Sequence, residues 1–284
     1  MFHSVSAFCN AGFDLFGHFS SLTAFQNEPL VLLTISALIV LGGTGFAVLG
    51  EVTRQRFQWR ELSLHSRLVL GMTGVLLLMG MTFFCLTEWH NPATLGGISG
   101  AGNKLVNALM QSTTMRTAGF NSVDLASMRQ SSKLMSIILM FIGASPASTG
   151  GGIKTTTFFV LLSGIYSAAT NHSERAFHNA IPKDAFRKAS VISILAAFLV
   201  MTASYLMLIF DPQLSLRDVL FEMISAFSTS GLSTGITPQL SAQSRILSII
   251  MMYIGRLGPL TVASLWYFTI GERVRYPEGT IAIG

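Results

Sequence analysis

The feature that most constrains this chain is the length of its apolar runs. A helix needs about 20 apolar residues to cross a hydrocarbon core of about 30 Å, and five segments reach or approach that length: Pro29–Gly50, Leu68–Leu86, Lys133–Ala169, Ser190–Phe210 and Arg245–Ile270. Only 11% of the 284 residues are charged, whereas soluble domains have about 25%. The sequence therefore predicts an all-α integral membrane protein and excludes an ordinary soluble enzyme.

Three further apolar stretches are too short to span a membrane. They cover residues 2–9, 105–115 and 219–227. A length of about 8 to 11 residues suits a re-entrant or half-membrane helix better than a full crossing. Each stretch is followed by a glycine, a loop and one of the long apolar segments, so the chain contains a repeated unit.

The repeat becomes visible when the chain is aligned on three glycines. The spacings from Gly12 to Gly119 and from Gly119 to Gly231 are 107 and 112 residues. Around these glycines, three short segments occupy matching positions: Asn10, Ala11, Gly12 and Phe13; Thr117, Ala118, Gly119 and Phe120; Thr229, Ser230, Gly231 and Leu232.

The three segments are candidates for an ion-selectivity filter. An extended strand that aims successive carbonyl groups at one axis needs backbone angles that glycine adopts without strain. Rings of such carbonyls replace the hydration shell of a monovalent cation, and the C-terminal end of the preceding short helix adds partial negative charge. We therefore predict a K⁺ site at these backbone carbonyls. The alternative is that the three glycines are helix C-caps before ordinary loops.

The long segment Lys133–Ala169 has a weak centre. As one helix it would be roughly 55 Å long, so it must tilt or break, and its glycine-rich middle has poor helix propensity. We predict a gate here, formed by Gly143, Ser148, Thr149, Gly150, Gly151, Gly152, Lys154 and, from the last apolar segment, Arg256. The alternative is a kinked helix whose glycines allow close packing. The sequence Gly42-Gly43-Thr44-Gly45 occupies a related position in the preceding unit.

Basic residues at membrane depth are functional hypotheses by default. We expect Arg256 to face the cavity below the filter, to set an electrostatic barrier and to contact the gate, and Lys154 to position the gate. A lysine can instead extend its aliphatic stem to the membrane interface. Arg116 also lies at this depth, and the sequence assigns it no role.

The loop charges predict the orientation. If the segment after Gly50 is cytoplasmic, ten basic residues lie inside and five outside, which satisfies the positive-inside rule and places the C-terminus in the cytoplasm. Acidic residues exceed basic ones on the outer side, and an acidic mouth concentrates cations. Ordinary solvated loop charges would give the same pattern.

Taken together, the motifs resemble the Trk/Ktr/HKT superfamily of potassium transporters, and most closely its Ktr-type membrane subunits. The resemblance covers essentially the whole chain and rests on residues 10–13, 116–121, 143–157, 253–259 and 274–279. It implies helix–pore-loop–helix (M1-P-M2) repeats arranged pseudo-symmetrically around one pore.

The resemblance also implies how the chain is divided. Residues 1–52 would form the end of repeat 2, residues 53–165 repeat 3, residues 166–271 repeat 4, and residues 272–284 a cytoplasmic tail. The family has four repeats, whereas three filter segments are visible here. We therefore expect a fragment or truncated reading frame that lacks repeat 1 and the first span of repeat 2.

The implied function is potassium uptake across the bacterial plasma membrane, with K⁺ as substrate, Na⁺ as a candidate coupling ion and no cofactor in this chain. The implied partners are membrane lipid, a second copy of the chain and a cytosolic ring of nucleotide-binding regulatory subunits. Nucleic acid is not expected, because no dense basic run is present. The alternatives are a membrane enzyme or scaffold, for which no catalytic constellation is visible, and a secondary transporter of a small solute built on broken helices.

Overall fold

The structure is a computed structural model that describes residues 1–17, 20–170, 175–177 and 179–259. The predicted tail at 272–284, its motif at 274–279 and the end of the apolar segment Arg245–Ile270 lie outside the described residues. The helices are α1 (Phe2–Phe8), α2 (Pro29–Thr44), α3 (Phe46–Arg54), α4 (Leu64–Glu88), α5 (Ala101–Thr114), α6 (Gln130–Phe141), α7 (Thr155–Thr170), α8 (Lys183–Phe210), α9 (Leu216–Ser228) and α10 (Ala242–Leu257). A short antiparallel hairpin of two two-residue strands, β1 (Arg175–Ala176) and β2 (Asn179–Ala180), lies between α7 and α8 in the chain.

Two of the described helices are long and apolar enough to cross a membrane. They are α4, with 25 residues, and the 27-residue stretch Asp184–Phe210 of α8. Both contain an apolar segment predicted from the sequence. The helix α4 begins where Ser63 accepts a hydrogen bond from the backbone N–H of Ser66, which satisfies one of the free donors of the first turn.

The predicted continuous span Pro29–Gly50 is wrong. The helices α2 and α3 meet at Gly45 with a bend of 98°. Gly45 has φ 100° and ψ 136°, a backbone conformation that residues other than glycine rarely adopt. A Cβ at this position would also lie 2.5 Å from the carbonyl oxygen of Pro146. The break therefore depends on glycine both for its backbone angles and for the close approach of another segment.

The segment Lys133–Ala169 is also interrupted. The helix α6 ends at Phe141 and α7 begins at Thr155, and residues 142–154, here called the central loop, are not helical. The kinked-helix alternative is therefore wrong. Backbone pairing between Ile142 and Ile153 closes the base of the loop, and the N–H of Ile153 donates to the carbonyl of Phe141 at 3.2 Å.

The short helices α1, α5 and α9 pack against the long ones. The helix α1 contacts α2, α5 contacts α2 and α4, and α9 contacts α6, α8 and α10. Two close approaches are equivalent: a Cβ at Gly42 would lie 1.8 Å from the carbonyl oxygen of Phe8, and a Cβ at Gly255 would lie 1.7 Å from that of Phe227. These glycines let α2 and α10 touch the last turns of α1 and α9.

Two buried carboxylates, Glu88 and Asp211, connect the end of one long helix to the start of the next by hydrogen bonds at equivalent positions of two units. Glu88, the last residue of α4, accepts a hydrogen bond from the N–H of Arg129 at 2.9 Å, at the start of α6. Asp211, which follows α8, accepts hydrogen bonds from the N–H and the hydroxyl of Ser241 at 3.1 and 3.0 Å, at the start of α10. Each unit thus ties the end of its first long helix to the beginning of its second.

Candidate functional site

The three glycine segments share a pattern of positive φ angles. In each, a positive φ occurs at the glycine and again two residues before it: 50° and 69° at Asn10 and Gly12, 71° and 89° at Thr117 and Gly119, 55° and 76° at Thr229 and Gly231. A left-handed residue with a Cβ costs roughly 1–2 kcal/mol. Threonine, which is β-branched, is an unusual choice there. Strained residues of this kind cluster at functional sites.

The C-cap alternative for the glycines is wrong. The helices α1, α5 and α9 are capped at Cys9, Met115 and Thr229, and the glycines lie beyond these positions. The last turns of α1 and α9 are closed by the residues that precede Gly12 and Gly231. The N–H of Ala11 donates to Ser6 O and the N–H of Ser230 donates to Ser225 O, both at 2.9 Å. The glycines belong to the non-helical segments that follow the helices.

The three segments lie side by side, and the segment at residues 117–120 lies between the other two. A Cβ at Gly12 would lie 2.7 Å from the carbonyl oxygen of Ala118, and a Cβ at Gly119 would lie 2.5 Å from that of Ser230. The side chain of Phe120 is completely buried. All three glycines line one cavity of about 180 Å³, so the structure brings the glycines of the three predicted filter segments to a common space.

The fourth side of this arrangement is open. Phe13 is 70% exposed, and a Cβ at Gly231 would meet no atom within 4 Å. A cavity of about 440 Å³ separates Ala11 and Phe13 from Gly231 and Leu232. The described residues therefore surround the axis on three sides.

Two carboxylates line the 180 Å³ cavity beside the glycines, Asp14 and Asp124. Both are held by turns that follow the filter segments. Asp14 accepts a hydrogen bond from the N–H of Phe16 at 2.8 Å, and Asp124 accepts one from the N–H of Ala126 at 3.0 Å. Fixed negative charge at a narrow opening raises the local concentration of cations.

The central loop lies directly against the first residues of the filter segments. A Cβ at Gly150 would lie 2.0 Å from Thr117 Oγ1, and a Cβ at Gly151 would lie 2.7 Å from Thr229 Oγ1. The hydroxyl of Thr149 donates to the carbonyl of Gly42 at 3.1 Å. The loop therefore contacts parts of all three units.

Both predicted basic residues contact the loop backbone. Lys154 Nζ donates to the carbonyl of Gly150 at 2.6 Å, so its side chain turns back onto the loop. Arg256 Nη1 donates to the carbonyl of Thr149. A Cβ at Gly143 would lie 2.0 Å from Gly151 O, so the base of the loop is close-packed.

The other predicted gate residues also lie on this loop. The hydroxyl of Ser148 donates to Ser145 O at 2.6 Å, and Gly152 has a positive φ of 73°. The structure thus brings the eight predicted residues together. That they gate ion flow stays a prediction.

Sequence reasoning missed the surface on which the loop rests. The break between α2 and α3 receives it: the N–H of Ser145 donates to Gly43 O at 3.1 Å, and the N–H of Phe46 donates to Ala147 O at 3.1 Å. The glycines at 42–45 signalled a weak helix, but not which segment would fill the break.

The surroundings of Arg116 are likewise not predictable from the sequence. It is only 6% exposed, lines a small cavity with Gly43 and Ala144, and its Nε has no hydrogen-bond partner in the described part of the chain. The buried guanidinium of Arg116 therefore lies near the start of the central loop and near the break between α2 and α3.

The model of the TrkH family, described as cation transport protein, matches residues 1–269. This chain belongs to that family. Its similarity to the solved potassium transporter TrkH from Vibrio parahaemolyticus has a TM-score of 0.75 at 16% identity and covers 93% of this chain and 57% of the other. The predicted fold class, an all-α membrane protein of repeated helix–pore-loop–helix units, is confirmed.

Sequence relatives of this TrkH-family chain are named for potassium uptake. It is 40% identical to the Ktr system potassium uptake protein B of Vibrio alginolyticus over 289 residues, covering 100% of this chain and 62% of the relative. For the protein of the same name in Bacillus subtilis the identity is 38% and the coverage 100% and 63%. The potassium/sodium uptake protein NtpJ of Enterococcus hirae is 35% identical, with coverage of 100% and 63%. The chain thus spans less than two thirds of the length of these relatives.

Proposed function

We propose that this chain forms three walls of a potassium uptake pathway across the bacterial plasma membrane. The observation that carries the proposal is the shared left-handed backbone of the three filter segments, which meet around one cavity. Three copies of a strained conformation at one place are hard to attribute to packing alone. A carbonyl-lined passage that replaces the hydration shell of K⁺ accounts for them. The driving force would be the membrane potential, about 2.3 kcal/mol per charge per 100 mV.

The relatives support the choice of ion. Two of them are named for potassium uptake and the third for potassium and sodium uptake. K⁺ is therefore the proposed substrate, and Na⁺ the candidate coupling ion. Both would pass the acidic mouth formed by Asp14 and Asp124 before they reach the glycines.

The central loop is the proposed gate. Its Gly150 and Gly151, which have no side chains, contact Thr117 and Thr229 on the proposed cytoplasmic side of the filter. The loop therefore fills the space that an ion leaving the filter would enter. Hydrogen bonds from Lys154 and Arg256 hold two consecutive loop carbonyls. Two positive charges next to the path of a cation also raise the barrier to its passage.

The proposed partners follow from the relatives and from charge. The name Ktr system, given to two relatives, supports an assembly with further subunits. We assign the cytosolic side to the basic segments around Arg54–Arg67 and Arg187–Lys188, where a nucleotide-binding regulatory ring would sit, with the C-terminus on the same side. A homodimer and annular lipid complete the proposed assembly. The 440 Å³ cavity beside Gly231 is the proposed place of a fourth wall.

Uptake in a host that lacks its own potassium uptake systems tests the function. Two forms are compared: the chain alone, and the chain joined to the part of the Vibrio alginolyticus relative that it does not cover. Growth at low potassium and ⁸⁶Rb⁺ uptake by the joined form, both abolished by Gly119→Asp, are expected. Uptake by neither form, although both reach the membrane, would overturn the proposal.

The regulatory partner is tested separately. The joined form is purified with and without the cytosolic subunits of the same Vibrio system. Their retention on the membrane protein, and its loss when Arg187 and Lys188 are both changed to Glu, would support the proposed cytosolic face. Retention that is unchanged by this charge reversal would contradict it.

A further inference from the structure

A second cavity lies away from the filter, between the third and fourth units. Its volume is about 380 Å³, within the range of about 300–1,000 Å³ that is typical of small-molecule sites. Twelve of the thirteen side chains that line it are apolar, and the thirteenth is Ser193. Its walls come from α6, the base of the central loop, α7, α8 and α9, so the cavity borders the proposed gate, and none of the predicted filter residues lines it.

One end of the cavity opens on the outer apolar surface of the helices. Ile138 of α6 is 44% exposed and Met201 of α8 is 60% exposed, and both line the cavity. Ile194 and Phe198, seven and three residues before Met201 on α8, are 70% and 64% exposed. In a membrane protein, such a surface faces hydrocarbon, so the opening faces lipid tails rather than water.

The other end of the cavity reaches the central loop. Ile142 and Ile153, each only 4% exposed, line this end, and they are the pair whose backbone contact closes the loop. Ile224 of the short helix α9 lies beside them. An occupant at this end would touch the gate and the last helix before the filter.

The apolar character of the cavity determines which molecule can occupy it. A buried water needs about two to four polar partners, and Ser193 is the one polar side chain that lines this cavity. An empty cavity would leave its lining atoms without dispersion contacts on that side. The available apolar material at the opening is the bilayer. We propose that this cavity is a binding site for one acyl chain of a membrane phospholipid, which enters between Ile138 and Met201 and packs against Ile142 and Ile153, thereby stabilising the closed base of the central loop.

Photolabelling locates the acyl chain. The protein is placed in vesicles of phosphatidylglycerol that carries a diazirine near the end of one acyl chain, irradiated, and mapped by mass spectrometry. Adducts are expected at Ile142 or Ile153, which bulk lipid cannot reach, in addition to adducts at the exposed Ile194. Labelling of Ile194 without any label at the two buried isoleucines would overturn the proposal.

A pair of variants on the same helix provides the control. Ala197 lines the cavity, whereas Ile194 does not. Ala197→Trp fills the opening and should abolish labelling of Ile142 and Ile153, while Ile194→Trp adds the same side chain to the outer surface and should leave it intact. If Ala197→Trp does not fold, Ala197→Leu makes the same test with a smaller group. Equal labelling in both variants would contradict the assignment.

Stability gives a readout that does not depend on transport. Adding phosphatidylglycerol to detergent-purified protein should raise the midpoint of thermal unfolding for the unmodified chain and for Ile194→Trp, and by much less for Ala197→Trp. The remaining possibility, a second copy of the chain on this face, is tested with Met201→Cys in a background without Cys9 and Cys85. Efficient disulfide-linked dimers together with absent labelling would assign the cavity to a protein interface and refute the lipid site.

Discussion

Arg256 donates a hydrogen bond to the carbonyl oxygen of Thr149, a residue 107 positions earlier in the chain. Lys154 holds the next carbonyl, that of Gly150, at 2.6 Å. Two cations therefore bind adjacent acceptors of one loop, one from within the loop and one from the neighbouring unit. In the proposed function, this arrangement couples the position of α10 to the closure of the pathway.

Changing the loop should raise ion flux. Deleting residues 148–152 removes the contacts with Thr117 and Thr229 but leaves the filter strands in place, so K⁺ uptake should increase with little loss of selectivity over Na⁺. Initial rates of ⁸⁶Rb⁺ uptake, corrected for the amount of protein in the membrane, measure the effect. A deletion variant that reaches the membrane with an unchanged or lower maximal rate would remove the gating proposal.

Arg256→Gln should raise the flux as well, because it removes a charge next to the ion path and weakens the hold on Thr149. Combined with the loop deletion, the increase should be smaller than the product of the two single effects, since residues in contact are energetically coupled. Arg245→Gln, in the first turn of the same helix, is the matched control and should have little effect. Fully multiplicative effects would show that Arg256 acts independently of the loop.

Gly119→Ala should impair selectivity and stability together. The added Cβ would lie 2.5 Å from Ser230 O, and the backbone has φ 89°, so both the neighbouring strand and the left-handed conformation are disturbed. Gly102→Ala in α5 is the control, because a Cβ there meets nothing within 4 Å. The ratio of K⁺ to Na⁺ uptake should fall for the first variant only. An unchanged ratio would refute the filter assignment.

Gly255→Ala should destabilise the protein. Its Cβ would lie 1.7 Å from Phe227 O, which forces α10 away from α9 and costs about 1–3 kcal/mol, as overpacking of a close contact does. At Gly71 in α4 a Cβ meets nothing within 4 Å, and Gly71→Ala should be neutral or stabilising by roughly 0.5–1 kcal/mol. Unfolding midpoints in detergent compare the two. Equal midpoints would show that α10 does not touch α9 as described.

Asp211 should make stability depend on acid pH. Burial raises the pKa of this carboxyl group, but hydrogen bonds from Ser244 and from the N–H and hydroxyl of Ser241 outweigh that effect and hold the pKa below its usual value. A depressed pKa in the folded state stabilises the protein above the unfolded-state pKa of about 3.9. This contribution is lost as pH falls through the folded-state pKa.

Asp211→Asn tests this point. The variant should be less stable than the unmodified chain at neutral pH, and the difference should shrink as pH falls below about 4. Asp184→Asn, at the other end of α8, serves as the control. A difference that does not change with pH would show that the charge of Asp211 contributes nothing to the tie between α8 and α10.

The sequence predicts the repeated unit well because the unit is local. A short apolar stretch, a glycine and a long apolar segment occur in order, and the structure has α1, α5 and α9 at the predicted places. The bend of 98° at Gly45 was not predicted, because hydropathy measures only how apolar a segment is. The glycines at 42–45 indicated weakness, but the direction of the chain beyond them is set by the central loop, which fills the break.

The site was predictable only in part. Gly12, Gly119 and Gly231 could be found by alignment, whereas the left-handed Thr117 and Thr229 contradict the intrinsic preference of threonine. Tertiary contacts impose that conformation. The contacts of Arg256 with Thr149 and of Ser145 with Gly43 join residues about a hundred positions apart, and no local pattern encodes such pairings.

In the proposed function, the close fit of the central loop against the filter segments makes the loop and the permeating ion competitors for one space. With Gly150 and Gly151 in place, the clearance below Thr117 and Thr229 is smaller than a methyl group, so a dehydrated K⁺ cannot occupy it until the loop withdraws. An ion that binds only the withdrawn state must shift the equilibrium towards that state by mass action. In the proposed function, uptake should therefore stay hyperbolic in external potassium, with a half-saturating concentration that exceeds the intrinsic dissociation constant by the reciprocal of the fraction of chains whose loop is withdrawn.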